Sequence, residues 1–311
     1  MAEVKHISVL LDECIENLNI RPDGIYVDGT LGLGGHSYEI ASRLTTGRLI
    51  GIDRDETAIS RAGARLAPFG DKVTLCHGNF SDVAAILDSL GIDKVDGMLF
   101  DLGVSSPQLD EIERGFSYMG DAPLDMRMNK SDFLTAKTVV NTYSEDQLNR
   151  IFWDYGEERY ARRVSAAILR SRAEKPIETT LELVDIIRSA LPAAALREKQ
   201  HPAKRCFQAI RIAVNDELGA VEHMMDTAPD KLRTGGRLCV ISFHSLEDRI
   251  VKLGINRREN GCTCPREAPI CTCGFVRTLR SVSRKPILPT EEETENNPRA
   301  RSAKLRVAER V

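Results

Sequence analysis

The sequence lacks any uninterrupted apolar run that approaches the ~20 residues of a membrane-spanning helix. Its first residues, MAEVKHISVLLDEC, carry charges on both sides of a short apolar stretch, which is unlike a signal peptide. We therefore expect a cytoplasmic protein that has no membrane partner.

A large excess of one charge is absent too, since the formal net charge is only -3. The balance over the whole chain therefore does not indicate a polyanionic partner. Between Arg249 and Lys285, however, nine Lys or Arg residues stand against two Glu residues. Such a segment is typical of a surface that binds a phosphate backbone, although a solvated charged surface has the same composition.

The eight cysteines fall into two groups. Four stand singly in apolar patterns and are expected to be small buried side chains; these are Cys14, Cys76, Cys206 and Cys239. The other four form two Cys-x-Cys pairs: Cys262, Cys264, Cys271 and Cys273. Four thiolates can bind a structural zinc ion, but these pairs are tighter than the usual Cys-x-x-Cys, so unligated thiols are the favoured interpretation. Disulfides are not expected in a cytoplasmic protein.

Short apolar runs alternate with helical patterns over the first hundred residues. The predicted strands there are Ile25–Asp28, 48–55, 73–80 and 96–103. Two more strands are predicted at 235–245 and 302–310, and the segment between them is expected to be irregular. This alternation indicates right-handed βαβ units and predicts an α/β fold with a mostly parallel sheet.

The strand rhythm stops between about Gln108 and Gln208, where only helical patterns occur. Ser144 with Gln147, and Thr179 with Glu182, have the spacing of capping boxes. A long helix is predicted from Pro202 through "MM" at 224–225. We therefore predict a discontinuous core, 1–108 with 210–311, and an all-helical insert at 109–209.

A glycine-rich turn, VDGTLGLGGHS at 27–37, follows the first predicted strand directly. Ligands of parallel α/β sheets lie at the carboxyl ends of the strands, and polar or aromatic residues stand at four such ends. These residues are Asp28, Asp53, Asn79 with Phe80, and Asp101.

S-adenosylmethionine gives each of these strand ends a role. Asp53 can accept both ribose hydroxyls, Phe80 can cover the adenine, and Asp28 with the turn can receive the ammonium group. Asp101 then lies where the methyl group is delivered. NAD is the rival, because Gly32-x-Gly34-x-x-Ser37 nearly fits its fingerprint, but it leaves Asp28 beside a pyrophosphate.

The motifs DGTLGLGG and FDLGVSSPQ are similar to those of methyltransferases that modify exocyclic amino groups of bases. With ERGFSYMGDAPLDMRM, HPAKRCFQAIRIAVNDEL and NPRARSAKLRVAER added, the whole chain resembles the RsmH (MraW) family of bacterial 16S ribosomal RNA cytosine-N4 methyltransferases. The resemblance implies a class I S-adenosylmethionine-dependent, Rossmann-like fold with a helical insert that recognises RNA. It implies as substrate one cytidine in the decoding region of the small ribosomal subunit. The implied cofactor contacts are Gly34, Gly35, His36, Asp53, Phe80, Asp101 and Gln108.

One departure from the related amino-methyltransferases concerns the catalytic motif. Their D/N-P-P-Y is replaced by Asp101-Leu102-Gly103-Val104, so the aromatic that stacks on a flipped base must come from elsewhere. Phe116, Tyr118 and Phe243 are the candidates, with core packing as the alternative for each.

Two residues are expected to carry the chemistry, and no metal is required. Asp101, with the Leu102 carbonyl, can accept the N4 protons as the nitrogen attacks. His244, at the end of the fifth predicted strand, can accept a proton or contact phosphate, or simply cap a turn. A DNA or other RNA amino-methyltransferase, and a non-catalytic RNA-binding assembly factor, stay open as alternatives, and so does a homodimer.

Overall fold

The chain forms two compact units in a computed structural model, which describes residues 8–265, 270 and 272–311. The first unit comprises Met1–Gly103 with Leu218–Val311, and the second comprises Val104–Glu217. The second unit is thus longer than the predicted insert at both ends. One reason is that its last helix continues to Asn215.

The first unit contains a seven-stranded sheet in the order β3-β2-β1-β4-β5-β7-β6. The strands are β1 (Ile25–Asp28), β2 (Arg48–Asp53), β3 (Val73–His77), β4 (Val95–Asp101), β5 (Leu232–Ser242), β6 (Leu279–Ser281) and β7 (Lys304–Arg310). The first five strands pair in parallel, and β7 runs antiparallel to both β5 and β6. The predicted mostly parallel α/β sheet is confirmed.

Helices cover the sheet in the first unit and make up most of the second. They are α1 (Leu11–Leu18), α2 (Gly35–Arg43), α3 (Glu56–Leu66), α4 (Val83–Ser89), α5 (Ser106–Asp110), α6 (Ala136–Thr142), α7 (Glu145–Asp154), α8 (Ala161–Glu174), α9 (Thr180–Ala190), α10 (Lys204–Asn215), α11 (Glu217–Thr227), α12 (Ser245–Asn260) and α13 (Glu291–Asn296). Within the described part of the chain, none is both long and apolar enough to cross a membrane.

Both faces of the sheet are buried, because side chains alternate between two apolar clusters along each central strand. On β4, Met98 and Phe100 join one cluster while Leu99 joins the other. On β5, Val240 and Ile241 divide in the same way. This period of two, with both sides apolar, is what a parallel sheet covered by helices requires.

The second unit has its own core, in which the apolar faces of its helices meet. The two predicted capping boxes are confirmed: Ser144 and Gln147 start α7, and Thr179 and Glu182 start α9. No named strand occurs between 104 and 217, all of which lie in the described range. The backbone polar groups of this unit are therefore satisfied mainly within helices and turns.

Two predictions about the second half of the chain were wrong. The helix predicted from Pro202 to 225 is two helices, because Asp216 ends α10 in a left-handed conformation (φ 48°). The segment after β5 was expected to be irregular, yet it contains α12, β6 and α13. α12 escapes sequence patterning because its 16 residues are mostly polar and bury only a short apolar face, including Val251 and Ile255.

Candidate active site

The glycine-rich turn follows β1 and bonds to the strands on either side of it, β4 and β2. The amide of Gly29 donates to the Leu99 carbonyl and that of Leu31 to the Ile52 carbonyl, each at 2.9 Å. Gly32 (φ 51°) and Gly34 (φ 73°) are left-handed, a conformation that costs other residues energy. Gly34 is the N-cap of α2, so the first amides of that helix face the turn.

Asp28 anchors the start of α2 to the end of β1. Its carboxylate accepts the Ser37 hydroxyl at 2.7 Å and the Thr30 amide at 3.2 Å. Burial raises the pKa of Asp28 to about 6, against the lowering effect of the Ser37 hydroxyl. The Asp28 side chain therefore holds the turn in place through Thr30 and Ser37. Its contact with an ammonium group stays a prediction.

Asp53, at the end of β2, is tied to the same turn. One carboxylate oxygen accepts the Gly32 amide at 2.8 Å and the other accepts the Asp55 amide at 2.9 Å. Burial raises the pKa of Asp53 to about 6. A carboxylate has about four lone pairs, so each oxygen keeps acceptor capacity for a ligand hydroxyl.

Asp101 ends β4 beside these groups. Its amide donates to the Thr30 hydroxyl at 2.6 Å, while its buried Oδ1 has no hydrogen-bond partner among the described residues. Burial is the main reason that the pKa of Asp101 lies well above its usual range, and the charges of Asp28 and Glu247 raise it further. An unsatisfied buried acceptor is rare in native structures and is often found where a ligand binds.

The remaining predicted cofactor residues differ in what they present. The His36 ring is buried, its Nε2 lies 3.0 Å from the Val9 carbonyl, and burial lowers its pKa to about 4, so the ring is neutral and turned into the core. Phe80 is half-buried and meets Phe100 edge-on at 6.0 Å. Gln108 belongs to the second unit, where it is buried and accepts the Ser105 amide at 3.0 Å.

Space at the turn is tightest at Gly35. A Cβ built there would lie 1.9 Å from the Ser8 hydroxyl oxygen, whereas one at Gly32 would meet nothing closer than 3.9 Å. The turn is therefore packed on the side of Gly35 and open on the side of Gly32. The predicted contact residues Gly34 and Gly35 fit a backbone cradle, which has donors but no side chains.

His244 caps α12, which is one of the roles expected for it, and its role as a proton acceptor stays a prediction. Its Nδ1 accepts the Glu247 amide at 3.4 Å, and Glu247 in turn accepts the amides of Phe243 and His244. Nε2 of the same ring lies 3.2 Å from a Glu247 oxygen.

The three aromatic residues expected to stack on the base, Phe116, Tyr118 and Phe243, all pack against other side chains. Phe116 belongs to the core of the second unit. Tyr118 lies parallel to the His201 ring at 4.5 Å and meets Phe207 edge-on. Phe243 packs at the edge of the sheet core and lies beside Gly103, whose φ is 106°.

Sequence reasoning missed Thr30 and Glu247. Thr30 joins the glycine-rich turn to Asp101, a partner 71 positions away, and nothing local marks it. Glu247 had a signal, because His244-x-x-Glu247 has the spacing of a capping box before an apolar run. Glu247 is buried beside the end of β5, and it is the second carboxyl, after Asp28, whose charge acts on Asp101.

The isolated cysteines follow the prediction in three cases, since Cys14, Cys206 and Cys239 are buried, while Cys76 is half-buried. Of the clustered ones, Cys271 lies outside the described residues.

Three carboxyls with raised pKa values thus line one edge of the sheet, around a backbone turn that offers amides. Burial is the main cause in each case, and no positively charged group among the described residues is a cause that offsets it. A ligand that carries positive charge and paired hydroxyls would satisfy this arrangement.

Comparisons with known proteins agree along the full chain. A model described as the MraW methylase family matches residues 3–311. A protein of Agathobacter rectalis named "Ribosomal RNA small subunit methyltransferase H 2" is 56% identical over 310 residues, covering 99% of both chains. Proteins named "Ribosomal RNA small subunit methyltransferase H" are 54% identical in Clostridioides difficile (99% of this chain, 100% of the relative) and 55% identical in Brevibacillus brevis (98% of each).

Proposed function

The chain belongs to the MraW methylase family, and from this premise we propose that it methylates N4 of one cytidine in the decoding region of 16S ribosomal RNA. Its fold is that of the class I S-adenosylmethionine-dependent methyltransferases. The observation that supports the proposal is the group of acids at the strand ends, Asp28, Asp53 and Asp101, in which Oδ1 of Asp101 has no hydrogen-bond partner among the described residues. The shared name of its relatives supports the small ribosomal subunit as the substrate.

S-adenosylmethionine fits the residues at this edge of the sheet. Asp53 would hold the ribose hydroxyls with its remaining lone pairs, and Phe80 would cover the adenine. The amides at the start of α2 and the negative field of Asp28 would hold the amino-acid end. When bound, the cofactor supplies an electrophilic sulfonium methyl, whose positive charge favours ionised carboxylates nearby.

Asp101 is the group that would act on the target base. A cytosine amino nitrogen is a weak nucleophile because its lone pair is delocalised into the ring. Oδ1 of Asp101 can accept an N4 hydrogen bond and orient the nitrogen, and it stabilises the charge that develops on N4. Its hydrogen bond from the backbone to Thr30 fixes the position of β4's last residue relative to the turn.

RNA binding by the second unit is supported by a surface groove on α7 and α8. We call it the Trp153 groove; it is lined by Asn149, Trp153, Arg159, Tyr160, Ala161, Arg162 and Arg163. The chain's single tryptophan is 60% exposed there. The three arginines are exposed and form no ion pair with the described residues. An exposed aromatic ring beside unpaired guanidinium groups suits stacked bases and phosphates of single-stranded RNA.

A methyl-transfer assay separates this proposal from its alternatives. The purified chain is incubated with methyl-labelled S-adenosylmethionine in three parallel reactions. Each reaction contains one candidate substrate: unmethylated small subunits, naked 16S ribosomal RNA or double-stranded DNA. Label in cytidine N4 of the ribosomal RNA is the expected result. Label in DNA would favour a DNA methyltransferase, and RNA binding without any transfer would favour an assembly factor.

A further inference from the structure

Three of the clustered cysteines converge in space, although eleven positions separate the first from the last. The Sγ atoms of Cys262, Cys264 and Cys273 all lie within 4.8 Å of one another. The Sγ atoms of Cys262 and Cys273 are 3.6 Å apart. In a tetrahedral site with Zn–S bonds of about 2.3 Å, neighbouring sulfurs lie about 3.8 Å apart, which is close to this distance.

We call Cys262, Cys264 and Cys273 the thiol cluster. Burial of apolar side chains does not explain why their sulfurs lie together. Cys262 and Cys273 are exposed and Cys264 is half-buried. None of the described residues between 261 and 278 is buried, and Ile270 is 75% exposed. The hydrophobic effect therefore supplies little energy to hold the three sulfurs together, whereas a metal ion would.

The ends of this segment are anchored, so that a metal could close it as a small loop. The Thr278 amide donates to the Arg258 carbonyl at 3.0 Å, and Arg277 pairs with Glu259 at 2.6 Å. These contacts join the end of α12 to the start of β6. A bound ion would add a link between Cys262 or Cys264 and Cys273, farther from this base.

The Sγ atom of Cys264 accepts a backbone hydrogen bond. The Thr272 amide donates to it at 3.2 Å. Amide hydrogen bonds to sulfur are typical of the second shell of metal-bound cysteines.

We propose that Cys262, Cys264 and Cys273 supply three thiolates to a structural zinc ion that orders the loop between α12 and β6. Sequence alone favours unligated thiols, and the convergence of three sulfurs reverses that preference. Thiolate ligands select soft or borderline ions, and zinc in particular takes a tetrahedral sulfur site. Each thiol that still carries a proton releases it to solvent on binding, so zinc affinity falls as the pH falls.

Metal analysis of the full chain tests this site. The protein is produced with added zinc, dialysed, and measured by mass spectrometry of its metal content. About one zinc ion per chain is expected, and Co²⁺ in its place should show a thiolate charge-transfer band with tetrahedral d–d bands. We expect zinc affinity to fall at least roughly 10–100-fold in Cys262→Ser and in Cys273→Ser. That is the loss seen when a residue that only supports a metal ligand is mutated, so loss of a ligand itself should cost no less.

Cys76→Ser is the matched control, because Cys76 is an accessible but isolated thiol; it should keep the zinc. A second measurement uses only the wild-type protein: a chelator should speed the alkylation of Cys262, Cys264 and Cys273 and leave Cys76 unchanged. A wild-type protein without zinc or a cobalt spectrum would overturn the proposal. So would zinc that persists in a Cys262→Ser, Cys273→Ser double variant, or a disulfide between these two residues in protein purified without reductant.

Discussion

At the scale of single residues, the candidate site contains buried carboxylates whose charge the fold does not offset with cations among the described residues. A buried acid without a cation or a full set of donors destabilises the ligand-free protein. Asp101 is the extreme case, because one of its oxygens has no partner among the described residues and two other acids raise its pKa. Such a residue is better explained by a ligand than by folding.

The first prediction concerns catalysis by Asp101. Asp101→Asn keeps the shape of the side chain but removes the charge that stabilises the attacking nitrogen, so the fold should survive. Single-turnover methyl transfer to small subunits at saturating cofactor should slow by roughly 10²–10³, the scale for deleting one electrostatic stabiliser. Transfer at the wild-type rate would remove Asp101 from catalysis, and His244 would be tested next.

The second prediction concerns cofactor affinity. Asp53→Ala should weaken S-adenosylmethionine binding by roughly 1.5–3 kcal/mol, the range for a charge-assisted hydrogen bond, measured by calorimetry. Thr135→Ala is the control, since Thr135 caps α6 in the second unit by accepting the Thr138 amide. It should lower the free energy of unfolding by about 1 kcal/mol and leave affinity unchanged. Unchanged affinity in Asp53→Ala would place the ribose elsewhere.

At the scale of elements, the features that could be predicted from sequence are those with local causes. Capping boxes depend on residues three positions apart, and the glycine-rich turn on an adjacent strand and helix. β6 could not be predicted, because its three residues form a strand only by pairing with β7 at the edge of the sheet. The break at Asp216 is equally obscure, since helical periodicity continues on both sides of it.

The third prediction separates backbone strain from ligand binding in the turn. Gly34→Ala places a Cβ on a left-handed residue (φ 73°), which should cost roughly 1–2 kcal/mol of unfolding free energy. Gly91→Ala has nearly the same φ (69°) and open space around its Cβ. Gly34→Ala should lose more stability than Gly91→Ala in denaturant titrations, because its Cβ would lie 3.3 Å from that of Ala62, but only Gly34→Ala should also lose cofactor affinity. Equal affinities would show that the turn is merely structural.

The fourth prediction concerns the Trp153 groove. Trp153→Ala should weaken binding of a 16S ribosomal RNA fragment by about 1–3 kcal/mol, the worth of one stacked base. Cofactor affinity should not change. Phe133→Ala is the control, because Phe133 is 99% exposed in the same unit and does not line the groove. If Trp153→Ala binds the RNA fragment as tightly as Phe133→Ala and the wild-type protein do, the groove is not an RNA site.

At the scale of the whole molecule, sequence reasoning reached the fold class and the family because long motifs run from end to end of the chain. It reached Asp28, Asp53 and Asp101 because the carboxyl ends of parallel strands share one edge. The raised pKa values of these acids could not be predicted from the sequence, because they depend on how deeply the folded sheet and helices bury the carboxyls. Burial of this kind is a property of the whole folded chain, and we expect it to make ligand binding depend on pH.

The last prediction is therefore that cofactor affinity depends on pH. In the ligand-free protein the pKa values of Asp28 and Asp53 are about 6, above the usual Asp value of 3.8, because burial disfavours their charge. The acids thus lower the free energy of unfolding progressively as the pH rises from about 4 to about 6, and the loss is constant above that range. A cationic ligand favours the ionised forms and lowers these pKa values, so binding near pH 6 releases protons.

Affinity for S-adenosylmethionine should accordingly rise between about pH 5 and pH 7, by up to about tenfold per pH unit for each proton released, and then level off. S-adenosylhomocysteine is the matched control, because it lacks the sulfonium charge and keeps the rest of the ligand; its affinity should rise less. Calorimetry in buffers of different ionisation enthalpy counts the protons directly. An affinity that is flat over this range, or that rises as the pH falls, would mean that the carboxylates do not face the sulfonium.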